Sequence, residues 1–172
     1  MDQTFELLKL ILPAGIVFLT TYYFLKSFLN QENNKKALDI KLANQSVLTP
    51  LRLQAYERIV LFLERINPSG MVMRTNKGMS APMLQAELLK TVRTEFEHNL
   101  SQQIYMSSKA WEEVIKAKEE TIKLINVAST RISPEANGME FAQAIITVSA
   151  QLTNLPSKVA IEFIKKEIGR EF

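Results

Sequence analysis

The sequence predicts an all-α protein with one N-terminal transmembrane helix followed by a helical bundle of about five helices. One observation is a long uncharged apolar run near the amino terminus. The other is that apolar residues recur every three or four positions along the rest of the chain, with proline and glycine in the gaps. We therefore expect an anchor at residues 1–30, a juxtamembrane linker or helix at 31–48, and a helical bundle domain at 49–172.

The predicted anchor extends from Phe5 to Leu29, and every residue between Lys9 and Lys26 is uncharged. As a helix this uncharged stretch rises about 24 Å, slightly less than the bilayer's hydrocarbon core of about 30 Å. The span reaches full length if both lysines extend their ammonium groups to the interfaces. The alternatives are a buried core helix and a signal peptide. A signal peptide would begin with basic residues and end at small ones.

The lysines that flank this span predict its orientation. One lysine, Lys9, precedes the span, and four follow at its end or soon after it: Lys26, Lys35, Lys36 and Lys41. Basic residues in short flanks stay on the cytoplasmic side. We expect the amino terminus outside and residues 31–172 in the cytoplasm.

Helix signals then divide the rest of the chain. The polar residues 30–34 predict a hinge or short linker. Thr49 and Pro50 predict a helix start, since they match an N-cap followed by proline at the first helical position. Further start and stop signals complete the predicted helices, which are residues 50–66, 81–106, 108–132, 139–152 and 158–170. The short turn at Ser107 predicts an antiparallel hairpin in which Lys118 reaches toward Glu95.

Composition limits the chemistry that the chain can perform. Cysteine is absent, His98 is the single histidine, and the net charge of +3 is distributed along the chain. Thiolate chemistry is therefore excluded, and a nucleic-acid-binding face is not expected. The sequence contains no nucleotide-binding, zinc-finger or hydrolase motif, so we assign no catalytic residue, cofactor or metal ligand.

One polar ridge is the main candidate contact site. At helical spacing, Glu95, His98, Asn99 and Gln102 lie on one side of the third long helix, beside its apolar stripe. Glu95 and His98 also match half of the motif that binds two metals in ferritin-like bundles, but the second histidine is missing. We expect a hydrogen-bonded seam or a partner contact, with a metal site shared across a dimer or an acid–base pair as the alternatives.

A methionine-rich segment is a second candidate contact surface. Residues 71–80 predict a loop that contains Met71, Met73, Arg74, Lys77 and Met79. Methionine-rich mobile surfaces suit adaptable binding of partners. The more ordinary interpretation, which we favour, is a loop folded back on the bundle with methionines filling gaps in the core.

A family resemblance is carried by three strings and one tryptophan. They are LRLQAYER at residues 51–58, FLERI at 62–66, EFEHNLSQQIY at 95–105, and Trp111. Over residues 7–132 the chain resembles an uncharacterised family of short bacterial proteins with an N-terminal membrane anchor and a helical domain. The resemblance implies an anchored helical protein of the bacterial inner membrane and no catalytic residue.

These observations favour a non-enzymatic, single-pass membrane adaptor or accessory subunit of an inner-membrane assembly. Its expected partners are the bilayer, through residues 5–29, and a membrane protein or a second copy of the chain. The alternative is a membrane-tethered enzyme or metal-binding protein that uses Glu95 and His98.

Overall fold

The computed structural model describes the backbone of residues 2–75 and 78–171, together with the side chains of residues 13, 15–75 and 78–170. This part of the chain forms six α-helices and one 3-10 helix, without a strand. The α-helices are α1 (Asp2–Arg65), α2 (Pro68–Thr75), α3 (Ala81–His98), α4 (Ser108–Ser129), α5 (Gly138–Ala150) and α6 (Pro156–Glu171). The 3-10 helix is Leu100–Tyr105. The all-α prediction is confirmed.

Contacts within the chain divide it into two units, Met1–Thr49 and Pro50–Phe172. In the first unit, the large apolar side chains between Ile16 and Leu29 are each 49–75% exposed. Among the described residues, none of the helices combines the length and apolar character needed to cross a membrane. The side chains of residues 1–12 and of residue 14, which belong to the predicted span or precede it, lie outside the described residues.

Two predicted interruptions of α1 are wrong. Residues 30–34 are helical rather than a hinge, and Thr49 and Pro50 lie inside α1 rather than at the start of a helix. Proline inside a helix removes one backbone hydrogen bond. Here the surrounding sequence is rich in leucine, lysine, alanine and glutamine, which favour helix on both sides of Pro50.

The core of the second unit begins with the carboxyl-terminal part of α1. Five apolar residues in this part of the chain, which recur at helical spacing, are at most 1% exposed: Tyr56, Ile59, Phe62, Leu63 and Ile66, the last just after α1 ends. Helix α4 packs against α3, α5 and α6, while α2 packs against α3 and α5. The Phe62 ring lies 5.9 Å from the Phe96 ring, which joins α1 to α3. The buried apolar residues of this part of the chain belong to the hydrophobic core of the second unit.

Helix α3 ends earlier than predicted, at His98 instead of residue 106, and the 3-10 helix follows. The side-chain amide of Asn99 donates a 2.8 Å hydrogen bond to the carbonyl oxygen of Glu95. Such local side-chain bonds compete with regular helix hydrogen bonding. Asn99 is the C-cap of α3, so the helix stops at the residue whose side chain makes this bond.

The prediction for the segment that begins at Pro68 is also wrong. The sequence suggested a break followed by a loop, but Pro68 is the first residue of α2, which includes Met71 and Met73. Proline is well suited to the first helical position because its missing N–H group would have no partner there. The expected loop is therefore helical through Thr75.

Candidate functional site

Three of the four predicted ridge residues line a cleft between α1 and α3. The cleft has a volume of about 280 Å³. Its walls are formed by Arg58, Leu61, Phe62 and Arg65 from α1, and by Glu95, His98 and Asn99 from the end of α3 and the residue after it. The sequence predicted the α3 wall, whereas the opposing arginines and leucine of α1 were not predicted as part of the site.

An ion pair closes one side of the cleft. Nη1 of Arg65 lies 3.2 Å from Oε1 and 3.0 Å from Oε2 of Glu95. The predicted partner of Glu95, Lys118, instead lies 2.6 Å from Glu119, and its Nζ is 4.5 Å from the centre of the Phe96 ring. Lys118 thus reaches Phe96, the residue next to Glu95, while the ion pairs of Lys118 and Glu95 are made with Glu119 and Arg65.

The other charged and titratable side chains of the cleft face solvent. Within the described part of the chain, the side chains of Arg58 and His98 make neither a hydrogen bond nor an ion pair. Leu61 lies between the two arginines in sequence and is 51% exposed. The cleft therefore offers an unpaired guanidinium and an imidazole beside an exposed apolar side chain.

The fourth ridge residue, Gln102, does not line the cleft. Its side chain is buried, and its amide nitrogen lies 3.2 Å from Ser101 Oγ. Gln102 belongs to the 3-10 helix, whose three residues per turn do not keep the angular spacing of an α-helix. The predicted ridge is consequently split after Asn99.

The cleft contains Glu95 and His98 as its only carboxylate and imidazole among the described residues. No group of three or more His, Asp or Glu side chains is placed to hold a metal ion in that part of the chain. An unpaired arginine beside an apolar side chain is able to receive a carboxylate together with an aliphatic or aromatic group.

The methionine-rich segment divides between core and surface. Met71 is buried, and Met79 packs against the core, which is the ordinary interpretation of this segment. Met73 is 79% exposed. Nη2 of Arg74 donates a 2.5 Å hydrogen bond to the carbonyl oxygen of Arg65. Lys77 lies outside the described residues.

A polar network near the start of α4 was not predicted from the sequence. Oε1 of Glu167 accepts a 2.5 Å hydrogen bond from the Tyr56 hydroxyl, and its Oε2 accepts one from the Ser107 hydroxyl. Arg52 donates from Nε to the carbonyl oxygen of Tyr105 at 3.1 Å. One sequence signal was available, since a tyrosine on an apolar helix face needs a partner for its hydroxyl.

Comparison with curated proteins and with solved structures gives no match. One family matches over residues 2–171, nearly the whole chain. The chain thus belongs to DUF7935, a family of unknown function.

Proposed function

We propose that this protein is a membrane-tethered helical adaptor, in which residues 5–29 anchor the chain and the cleft between α1 and α3 binds a protein partner. The observation on which the adaptor role rests is the combination of unpaired Arg58 and His98 with exposed Leu61 in one cleft. The tether rests on a separate observation, the uncharged stretch between Lys9 and Lys26.

Several features support the tether. The uncharged stretch is flanked by lysines at both ends, and aromatic side chains such as Tyr22 and Tyr23 lie near the second end. Aromatic rings of this kind favour the headgroup layer of a bilayer. The large apolar residues from Ile16 to Leu29 are 49–75% exposed, and burying them in lipid would remove this apolar area from water.

The lysine distribution adds an orientation to the proposal. With four lysines after the span and one before it, the second unit would lie in the cytoplasm of a bacterial cell. The absence of cysteine agrees with a reducing compartment. The adaptor would then act at the cytoplasmic face of the inner membrane.

The chemistry of the cleft defines the partner that it would fit. Arg65 is already paired with Glu95, whereas Arg58 is available to form a charge-assisted hydrogen bond. Leu61 supplies an apolar contact next to it. The partner would therefore present an aspartate or glutamate within about one helical turn of an apolar side chain.

Site-specific photocrosslinking in native membranes tests this surface. A photoreactive benzoylphenylalanine replaces Leu61 in the full-length protein, and the control places it at Ile146, an exposed aliphatic residue on α5. We expect one discrete crosslinked species from Leu61 and none of that mass from Ile146. The crosslinked partner peptide should contain an acidic residue within about four positions of the attachment point. Equal crosslinking from both positions, or none from Leu61, would refute the proposed surface.

A further inference from the structure

A second groove lies away from the cleft, where the first turn of α4 meets the last turns of α6. It has a volume of about 410 Å³. Its lining residues are Ser107 and Lys109 from the start of α4, and Phe163, Lys166, Glu167 and Arg170 from α6. The four α6 residues follow helical spacing, so they project from one face of that helix.

The groove is positively charged. Lys109, Lys166 and Arg170 contribute three cationic groups against the single carboxylate of Glu167. None of the three cations forms an ion pair or a side-chain hydrogen bond within the described part of the chain. All three are exposed, which leaves their donors available to a ligand.

Lys109 is in an unfavourable position for the stability of its own helix. It lies in the first turn of α4, which contains no acidic residue. A helix amino terminus has a partial positive charge, so a cation there destabilises the helix. Arg170 is well placed in the last turn of α6, so helix stability accounts for Arg170 but not for Lys109.

The carboxylate of Glu167 offsets one of the three cationic charges, and it is held by hydrogen bonds from neutral donors of the chain. Its Oε1 accepts from the Tyr56 hydroxyl at 2.5 Å and from the Ser107 backbone N–H at 3.4 Å. Its Oε2 accepts from the Ser107 hydroxyl. Among the described residues that line the groove, the three cations exceed the single carboxylate by two charges, and Phe163 adds an apolar surface beside them.

From these contacts we infer that the groove formed by Lys109, Lys166 and Arg170 binds a phosphate group carried by an organic ligand. Charge-assisted hydrogen bonds from lysine and arginine are the usual means of binding phosphate oxygens. The groove exceeds the size of a phosphate ion alone, and Phe163 can contact the organic part. The phosphate could belong to a lipid headgroup or to a soluble phosphate ester, and neither source depends on the proposed cleft partner.

Binding to the full-length protein in dodecyl maltoside micelles, which contain no phosphate, tests this inference. One arm titrates glycerol 3-phosphate by calorimetry. The other titrates phosphatidylglycerol doped into the same micelles and follows the fluorescence of Trp111, the only tryptophan. The test variant is Lys166→Glu with Arg170→Glu, and the matched control is Lys158→Glu with Lys165→Glu, which makes the same charge change on α6 outside the groove.

We expect the test variant to weaken binding by about tenfold or more and the control by less than about threefold. Binding of the soluble ester identifies a soluble ligand, whereas binding of the lipid alone identifies a headgroup site. Equal weakening by the two variants, or no binding in either arm, would overturn the inference. The neutral variant Lys166→Gln with Arg170→Gln, checked by its melting temperature, repeats the test without introducing acidic residues.

Discussion

Nη1 of Arg65 lies 3.0 Å from Oε2 of Glu95, and this ion pair joins the last residue of α1 to the last turn of α3. The side chain of Arg65 is 60% exposed and that of Glu95 is 24% exposed. The pair therefore has solvent on one side. It closes one wall of the cleft while leaving Arg58 and His98 open.

Because solvent screens this pair, its contribution to stability should be small. A double-mutant cycle with Arg65→Ala and Glu95→Ala should give a coupling energy below about 1 kcal/mol. Urea titration of the full-length protein in micelles, followed by Trp111 fluorescence, measures it. A coupling energy above about 2 kcal/mol would mean that the pair is shielded from water.

The hydrogen bond of the Tyr56 hydroxyl should contribute more to the free energy of unfolding than the ion pair of Arg65 and Glu95. Tyr56 is 1% exposed and donates to the carboxylate of Glu167. Hydrogen bonds to charged groups contribute about 1.5–3 kcal/mol, so Tyr56→Phe should lower the free energy of unfolding by about that amount. Tyr105→Phe is the control, since only the backbone carbonyl of Tyr105 takes part in the network. The same urea titration should show a change within about 0.5 kcal/mol for the control.

Two nearby aliphatic residues of α1 should differ in how much stability the protein loses when each is truncated to alanine. Ile59 is fully buried, so Ile59→Ala should cost about 2–5 kcal/mol of stability. Leu61 is half exposed, so Leu61→Ala should change stability by less than about 1 kcal/mol. Equal losses for the two variants would show that Leu61 is packed in the folded domain and is unavailable to a partner.

The proposed orientation in the membrane is testable because the chain has no native thiol. A single cysteine is introduced at Asn34 or at Glu120, both exposed, and intact cells are treated with a membrane-impermeant thiol reagent. We expect protection until the inner membrane is permeabilised. Labelling in spheroplasts without lysis would place the second unit outside the cytoplasm.

Local patterns predicted much of the fold. Ser107, at the predicted turn, caps α4, with its hydroxyl accepting from the N–H of Ala110 at 3.1 Å. The apolar periodicity of residues 56–66 identified buried positions because the pattern of a helix face depends only on the residues of that helix.

Two of the wrong predictions of helix boundaries occurred at prolines, because proline is found both at the start of helices and where helices end. Pro50 resembles a helix start but lies within α1, while Pro68 resembles a helix end but begins α2. The partner of Glu95 required knowledge of how α1 packs on α3, which spacing within one helix does not provide. The sequence therefore predicted Glu95, His98 and Asn99 as site residues but missed Arg58, Leu61 and Arg65 on the opposite wall.

The most direct test of the adaptor proposal measures how much crosslinked product forms at Leu61 when one charge of the cleft is reversed. Arg58→Glu changes the unpaired guanidinium of the cleft, and Arg93→Glu makes the same change at an exposed position of α3 outside it. We predict that Arg58→Glu lowers the crosslinked yield by about tenfold, because a like charge would face the partner's carboxylate. Arg93→Glu should leave the yield within about twofold. An unchanged yield in Arg58→Glu, or an equal loss in both variants, would contradict the assignment of this cleft as the partner-binding surface.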